Sequence, residues 1–143
     1  MDDLDEKLLA ALAQNSSTST SQLARRFKVA RSTVQARIER LERTGIIGGY
    51  TIRLGKALTL KRIHATVLLQ VEPRATPQIL TRLKSMPEVE KVSTTTGRID
   101  LIVQIAAETT QAIDEVLDLI GGLPGVSDTE SLIHLSTKID RAV

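Results

Sequence analysis

Apolar residues recur along this chain in two rhythms, three-to-four spacing over the first third and mixed strand and helix spacing after it. Leu4, Leu8, Ala11 and Leu12 fall on one helical stripe, predicting a helix from Leu4 to Gln14. Asp3 is placed to cap it, with Glu6 three residues on closing a capping box. Asn15 and the polar run Ser16 to Thr18 break the pattern. Ser19 followed by Gln22 opens a second helix through Leu23, Ala24 and Phe27. Lys28, Val29 and Ala30 form a turn, with Val29 directed into a three-helix core. Val34, Ile38 and Leu41 then stand at i, i+4 and i+7, giving a third helix, Ala30 to Arg43, one buried face. Gly45 ends it as a residue able to take a positive φ. Ile46, Ile47, Tyr50 and Ile52 continue as an extended segment, and Arg53 to Arg62 reads as a linker.

Beyond the linker the rhythm changes. Ile63 to Val71 alternates and is rich in β-branched residues, as a strand requires. Thr76-Pro77 supplies a cap with proline at the first helical position, and Ile79, Leu80, Leu83 and Met86 a helical stripe. Val89 to Thr96 and Ile99 to Ala107 read as strands joined at Gly97-Arg98. Thr109 or Thr110 opens a helix carrying Ile113, Val116, Leu117, Ile120 and Leu123. Val126 to Thr137 is the last strand. The order βαββαβ is the split, ferredoxin-like arrangement. Met86-Pro87-Glu88-Val89 and Leu123-Pro124-Gly125-Val126 both stand between a helix and its following strand, so the half-domain is duplicated. The fold class expected is α+β: a helix-turn-helix domain at 1–52, a linker at 53–62 and a ferredoxin-like domain at 63–143.

One sheet face should pack on the helices through Ile63, Ala65, Val67 and Leu69 with Ile99, Leu101, Val103 and Ile105. The other carries Thr66, Leu68 and Gln70 beside Asp100, Ile102 and Gln104. It is more apolar than solvent favours and more polar than a core, which suits an interface between copies of the chain.

Charge sharpens this picture. Formal net charge is only +2, yet the chain through Arg62 holds 12 of the 19 basic residues and 6 of the 17 acidic ones. The front is basic and the back mildly acidic, so an anionic partner is expected for the front. Phe27 and Tyr50 are the only aromatics besides histidine, too few for the stacking platforms of single-strand binders. Cysteine is absent, which excludes disulfides and thiol chemistry. No apolar run approaches the roughly 18 residues of a membrane span, and the acidic start MDDLDEKLL lacks the pattern of a secretion signal. A soluble, cytoplasmic protein is expected.

On the polar side of the third helix stand Arg31, Ser32, Thr33, Gln35, Ala36, Arg40 and Arg43. Cations and hydrogen-bonding groups around one small residue are what a helix needs in the major groove. Ser32, Thr33, Gln35 and Ala36, with Arg31, lie nearest the bases in this reading. Arg25, Arg26, Arg40 and Arg43 fall mainly on phosphate, and Arg37 lies closer to the buried face.

The run LARRFKVARSTVQARIERLERTGIIGGYTIRL resembles the winged-type helix-turn-helix of the Lrp/AsnC family of bacterial and archaeal transcription regulators. The matching elements are Leu23-Ala24, Thr33-Val34, Arg37-Ile38, Arg40-Leu41-Glu42 and Gly45-Ile46-Ile47 with Tyr50. The family usually has glycine where this chain has Lys28, and serine where it has Ala30. Its ligand-binding ferredoxin-like domain matches the back half as well. Thr96-Gly97-Arg98-Ile99-Asp100-Leu101 is similar to its T-G-x-x-D loop, and Ser131 occupies the place of a frequent threonine. The resemblance implies an amino-acid effector at Thr95, Thr96, Gly97, Arg98, Asp100 and Ser131, held between subunits.

The expected partners are double-stranded DNA, a second copy of the chain (a homodimer, or as many as eight copies) and the effector. No cofactor and no metal is expected, since His64 and His134 on neighbouring strands lack a third ligand. No cysteine nucleophile, HExxH or Gly-rich phosphate loop suggests an enzyme. Two alternatives are an architectural DNA-wrapping protein with little sequence preference and an amino-acid sensor acting on protein partners.

Overall fold

The computed structural model describes residues 1–59 and 61–141. Leu60 of the expected linker and positions 142 and 143 lie outside the described residues. The chain divides into two compact units, one built on Met1–Arg53 and the other on Leu54–Asp140.

The first unit is three helices: α1 (Asp3–Gln14), α2 (Thr20–Phe27) and α3 (Arg31–Arg43). Leu8, Ala11, Leu23, Ala24 and Val34 are its buried cluster, with Leu4, Leu12, Phe27, Val29 and Ile38 packed around them. The predicted box at Ser19 and Gln22 is present in both directions. The box on α1 lies one residue earlier than the spacing suggested. Asp2 is the cap and Asp5 the reciprocating residue, in place of Asp3 and Glu6. Gly45 takes φ 79° after α3 as expected. The stretch expected to be extended, 46–52, forms no strand. Gly48 and Gly49 interrupt its apolar pattern, and glycine weakens a strand.

The second unit opens with one helical turn, α4 (Lys56–Thr59), inside the expected linker. The strands and helices β1 (Ile63–Val71), α5 (Thr76–Lys84), β2 (Val89–Thr94), β3 (Leu101–Ala107), α6 (Thr110–Gly121) and β4 (Val126–Ile133) follow. The sheet order is β2-β3-β1-β4, with every pairing antiparallel. Thr76 is not a cap. A 3₁₀ turn at Pro73–Ala75 runs straight into α5, so Thr76 is already helical. Thr109 does cap α6, accepting from the N–H of Ala112 at 3.0 Å. β4 stops at Ile133 rather than Thr137, because its partner β1 begins at Ile63 and one bond, His134 N–H to the His64 carbonyl, is the last available.

Alternation does what the sequence promised. Ala65, Val67, Leu69, Leu101, Val103 and Ile105 are buried against Ile79, Leu83, Ile113, Val116 and Ile120 of the helices. Ile99 falls outside β3 and is only half-buried. The duplicated turns share a hydrogen bond: Val89 N–H donates to the Met86 carbonyl and Val126 N–H to the Leu123 carbonyl, both at 3.1 Å. Only the second copy needs glycine. Gly125 has φ 93°, and a Cβ there would lie 2.1 Å from that of Ala75.

Candidate DNA-contacting surface and effector loop

The turn before α3 closes on Lys28, the one non-glycine residue with positive φ among those described (55°). Its neighbour Val29 donates to the Ala24 carbonyl at 3.0 Å and packs on the core, as expected. A left-handed conformation costs a side-chain-bearing residue about 1–2 kcal/mol, so packing of Val29 and Phe27 holds the turn against local preference. Ala30 caps α3 with no side-chain hydrogen bond.

On α3, Arg31, Ser32, Gln35, Ala36, Arg40 and Arg43 are exposed, while Thr33 and Arg37 are half-buried. Arg25 and Arg26 are exposed on α2. Arg25 and Arg31 both line an open hollow of about 430 Å³ with Ser21, Ala24 and Val29. The exposed face also holds an acid that sequence reasoning passed over. Glu39 accepts a hydrogen bond from Gln35 Nε2 at 3.3 Å. Behind α3, Tyr50 donates its hydroxyl to Glu42 at 3.0 Å. Burial, and then this bond, hold the Tyr50 phenol above its usual pKa.

Arg37 and Arg40 are not free cations. The Arg37 guanidinium donates to Asp2 and, at 3.3 Å, to Asp5, with 28% of its side chain exposed. Arg40 Nη2 donates to Asp5 Oδ2 at 2.8 Å and remains 48% exposed. Asp5 itself is fully buried. Burial works to raise its pKa, but bonds from the Asp2 N–H, Arg40 and Arg37 outweigh that and leave it lowered. The Arg37 bond, and next the Asp5 N–H, hold the Asp2 carboxyl down to about 2. Arg37 is correspondingly raised by Asp2 and Asp5. Neither acid was singled out from sequence. The signal was there: Asp5, Leu8 and Leu12 stand at i, i+3 and i+7, an acid on an apolar stripe.

In the second unit, Thr95 to Asp100 form the β2–β3 loop. Thr95 N–H donates to the Asp100 carbonyl at 3.1 Å, and its hydroxyl donates to the Ile99 carbonyl. Gly97 turns the chain at φ 93°, with open space where a Cβ would be. Thr96, Gly97 and Arg98 are exposed. Gln70, expected only as part of the open sheet face, donates its side-chain amide to the Arg98 carbonyl at 3.0 Å and so ties the loop to β1. Asp100 is engaged too: its Oδ2 accepts the Val71 N–H at 2.9 Å, beside the register shift at Gln70/Val71.

Ser131 is not brought to this loop within one protomer. It pairs with Val67 on the helix-covered side of the sheet, whereas Asp100 precedes core-facing Leu101 and so points to the open side. His64 and His134 stack with ring centroids 6.5 Å apart. Thr66 Oγ1 lies 2.7 Å from His134 Nε2 and donates to Gln104 Oε1 at 3.0 Å. Among the described residues no three His, Cys, Asp or Glu side chains gather where they could hold a metal, and no helix is long and apolar enough to cross a membrane.

Both units have close counterparts among known proteins. Residues 1–42 match the AsnC-type helix-turn-helix domain, and residues 64–143 the Lrp/AsnC ligand binding domain. The HTH-type transcriptional regulator LysM of Saccharolobus solfataricus is 34% identical over 96% of this chain and 95% of its own. The HTH-type transcriptional regulator FL11 of Pyrococcus horikoshii is 28% identical over 96% and 91%. The structure of E. coli AsnC superposes with a TM-score of 0.90 at 28% identity, covering 100% of this chain and 97% of that one.

Proposed function

The chain belongs to the Lrp/AsnC family of transcriptional regulators, and from that premise we propose that it acts as a homodimer or larger assembly whose grip on DNA is set by a bound amino acid. The observation that carries the DNA half is the exposed face of α3, with Ser32, Gln35 and Ala36 flanked by Arg31 and Arg43. Ser32, Thr33, Gln35 and Ala36 meet base edges in the major groove, while Arg25, Arg26, Arg40 and Arg43 meet phosphates. Arg37 stays with its carboxylates and fixes α3 against α1. A two-fold assembly sets two such helices in successive grooves.

The open face of the sheet supports the assembly. Thr66, Leu68, Gln70, Ile102 and Gln104 are half-buried there, with Leu132 47% exposed beside them. Apolar and neutral polar groups mixed in this way suit a subunit interface. Sedimentation as a monomer at micromolar concentration would overturn it.

The effector reading rests on complementary charge around Gly97. The Arg98 guanidinium suits a carboxylate, and the oxygen of Asp100 not used by Val71 suits an ammonium. The test is a thermal-melting panel of the full chain against the twenty amino acids. A ligand at 100 times its dissociation constant adds about 2.7 kcal/mol, which at about 2–4 °C per kcal/mol raises Tm by roughly 5–11 °C. A selective rise that disappears in Arg98→Ala and Asp100→Ala supports the site. A flat panel removes the amino-acid effector, and absence of duplex binding at low salt removes the regulator itself.

A further inference from the structure

Asp5 is the single polar residue with no exposure among those described, and capping alone does not account for its position. The reciprocal cap needs a carboxylate within reach of the Asp2 N–H, which an exposed acid at the same helical position provides. Burying a charge is unfavourable unless it is paired and hydrogen-bonded. The Asp5 carboxylate is held by three groups: the Asp2 N–H at 3.3 Å, Arg37 at 3.3 Å and Arg40 at 2.8 Å. The two arginines differ. Arg37 is shared between two carboxylates and is mostly covered, so its charge is answered inside the protein. Arg40 gives one nitrogen to Asp5 while nearly half its side chain stays in solvent. A guanidinium carries five N–H donors in a rigid fork, so holding one nitrogen restricts where the others are offered.

We propose that Asp5 is a positioning residue for DNA recognition, holding the Arg40 guanidinium at the edge of α3 in the orientation that meets a phosphate. This rests on the reading of α3 as the DNA-contacting helix. A free arginine must lose side-chain freedom when it binds; one already held by a buried partner has lost most of it on folding.

The experiment measures binding of the full chain to a random-sequence duplex across a salt series. The variants are Arg40→Ala, Arg40→Lys, Asp5→Asn and the double change Asp5→Asn with Arg40→Ala, each with its thermal melt. Arg40→Ala is expected to weaken binding and flatten the log–log salt slope by about 0.9 per protomer. Asp5→Asn removes a negative charge, which by simple electrostatics tightens binding to a polyanion. The proposal expects the opposite: several-fold weaker binding in the native background and no further loss in the Arg40→Ala background. Arg40→Lys, at an exposed position, tests the same point without touching the buried acid. It should keep the salt slope yet bind more weakly, having charge without the fork.

Equal or tighter binding by Asp5→Asn overturns the proposal, as does the same loss in both backgrounds or native affinity in Arg40→Lys. If Arg40→Ala changes neither affinity nor slope, Arg40 meets no phosphate and Asp5 has nothing to position, although α3 can still read DNA through its other residues. If no variant, nor the native chain, binds duplex, the DNA reading itself fails.

Discussion

The two units hold themselves together by different means. The second buries a cluster of fourteen residues, all apolar, between a four-stranded sheet and two helices. The corresponding cluster of the first has five members, and that unit sets among its helices a charged acid with two arginines, a reciprocal cap on each of α1 and α2, and a strained turn at Lys28. A unit of about fifty residues has little interior to offer, so local polar geometry takes a larger share of its stability. The lesson is that the same kind of change should act differently in each: steric change where packing dominates, charge and capping changes where polar geometry does.

The largest effect expected is at Gly125. Alanine there combines a left-handed backbone with a Cβ driven into Ala75, and should destabilise the second unit by about 2–5 kcal/mol. The equivalent turn residue of the first copy, Glu88, has no positive φ, so Glu88→Ala should be near neutral. Urea titration of both variants checks the contrast, and a similar loss at the two positions would break it.

Acid should single out the first unit. Asp2 is held at about 2 when folded, below its ordinary value. Its contribution is therefore present above pH 4 and is lost as pH falls toward 2. Asp5 is shifted in the same direction. Protection of α1 and α3 from hydrogen exchange, taken relative to the intrinsic rate at each pH, should fall over that window, and Asp2→Asn should flatten the response. The smallest effect is a gain. Ala30→Ser should supply the missing cap of α3 and add about 1 kcal/mol, read as a rise in Tm.

Legibility in the sequence followed the same division. Period-two burial along β1 and β3 could be read directly, since Ala65, Val67 and Leu69 alternate with Thr66, Leu68 and Gln70 and nothing competes with that pattern. The capping of α1 could not. MDDLDE offers Asp2 with Asp5 and Asp3 with Glu6 at identical spacing, and the ion pairs that choose between them come from residues over thirty positions away. Likewise the end of β4 was set by where β1 begins, and the cap expected at Thr76 was pre-empted by the 3₁₀ turn before it. The residues proposed to touch DNA were visible as types on a helical face. That Arg40 is held by a buried acid, and that Gln70 ties down the Arg98 loop, depends on contacts between residues far apart in sequence.

Strand order also decides when each unit can exist. β1, near the start of the second unit, lies between β3 and β4, and its contact at Thr66 with His134 spans 68 positions. During synthesis β1 therefore waits with one edge open until almost the whole unit has left the ribosome. The three helices of the first unit close over much shorter separations, and short loops close sooner. The helix-turn-helix residues therefore emerge, and can close on one another, before the strands that complete the sheet.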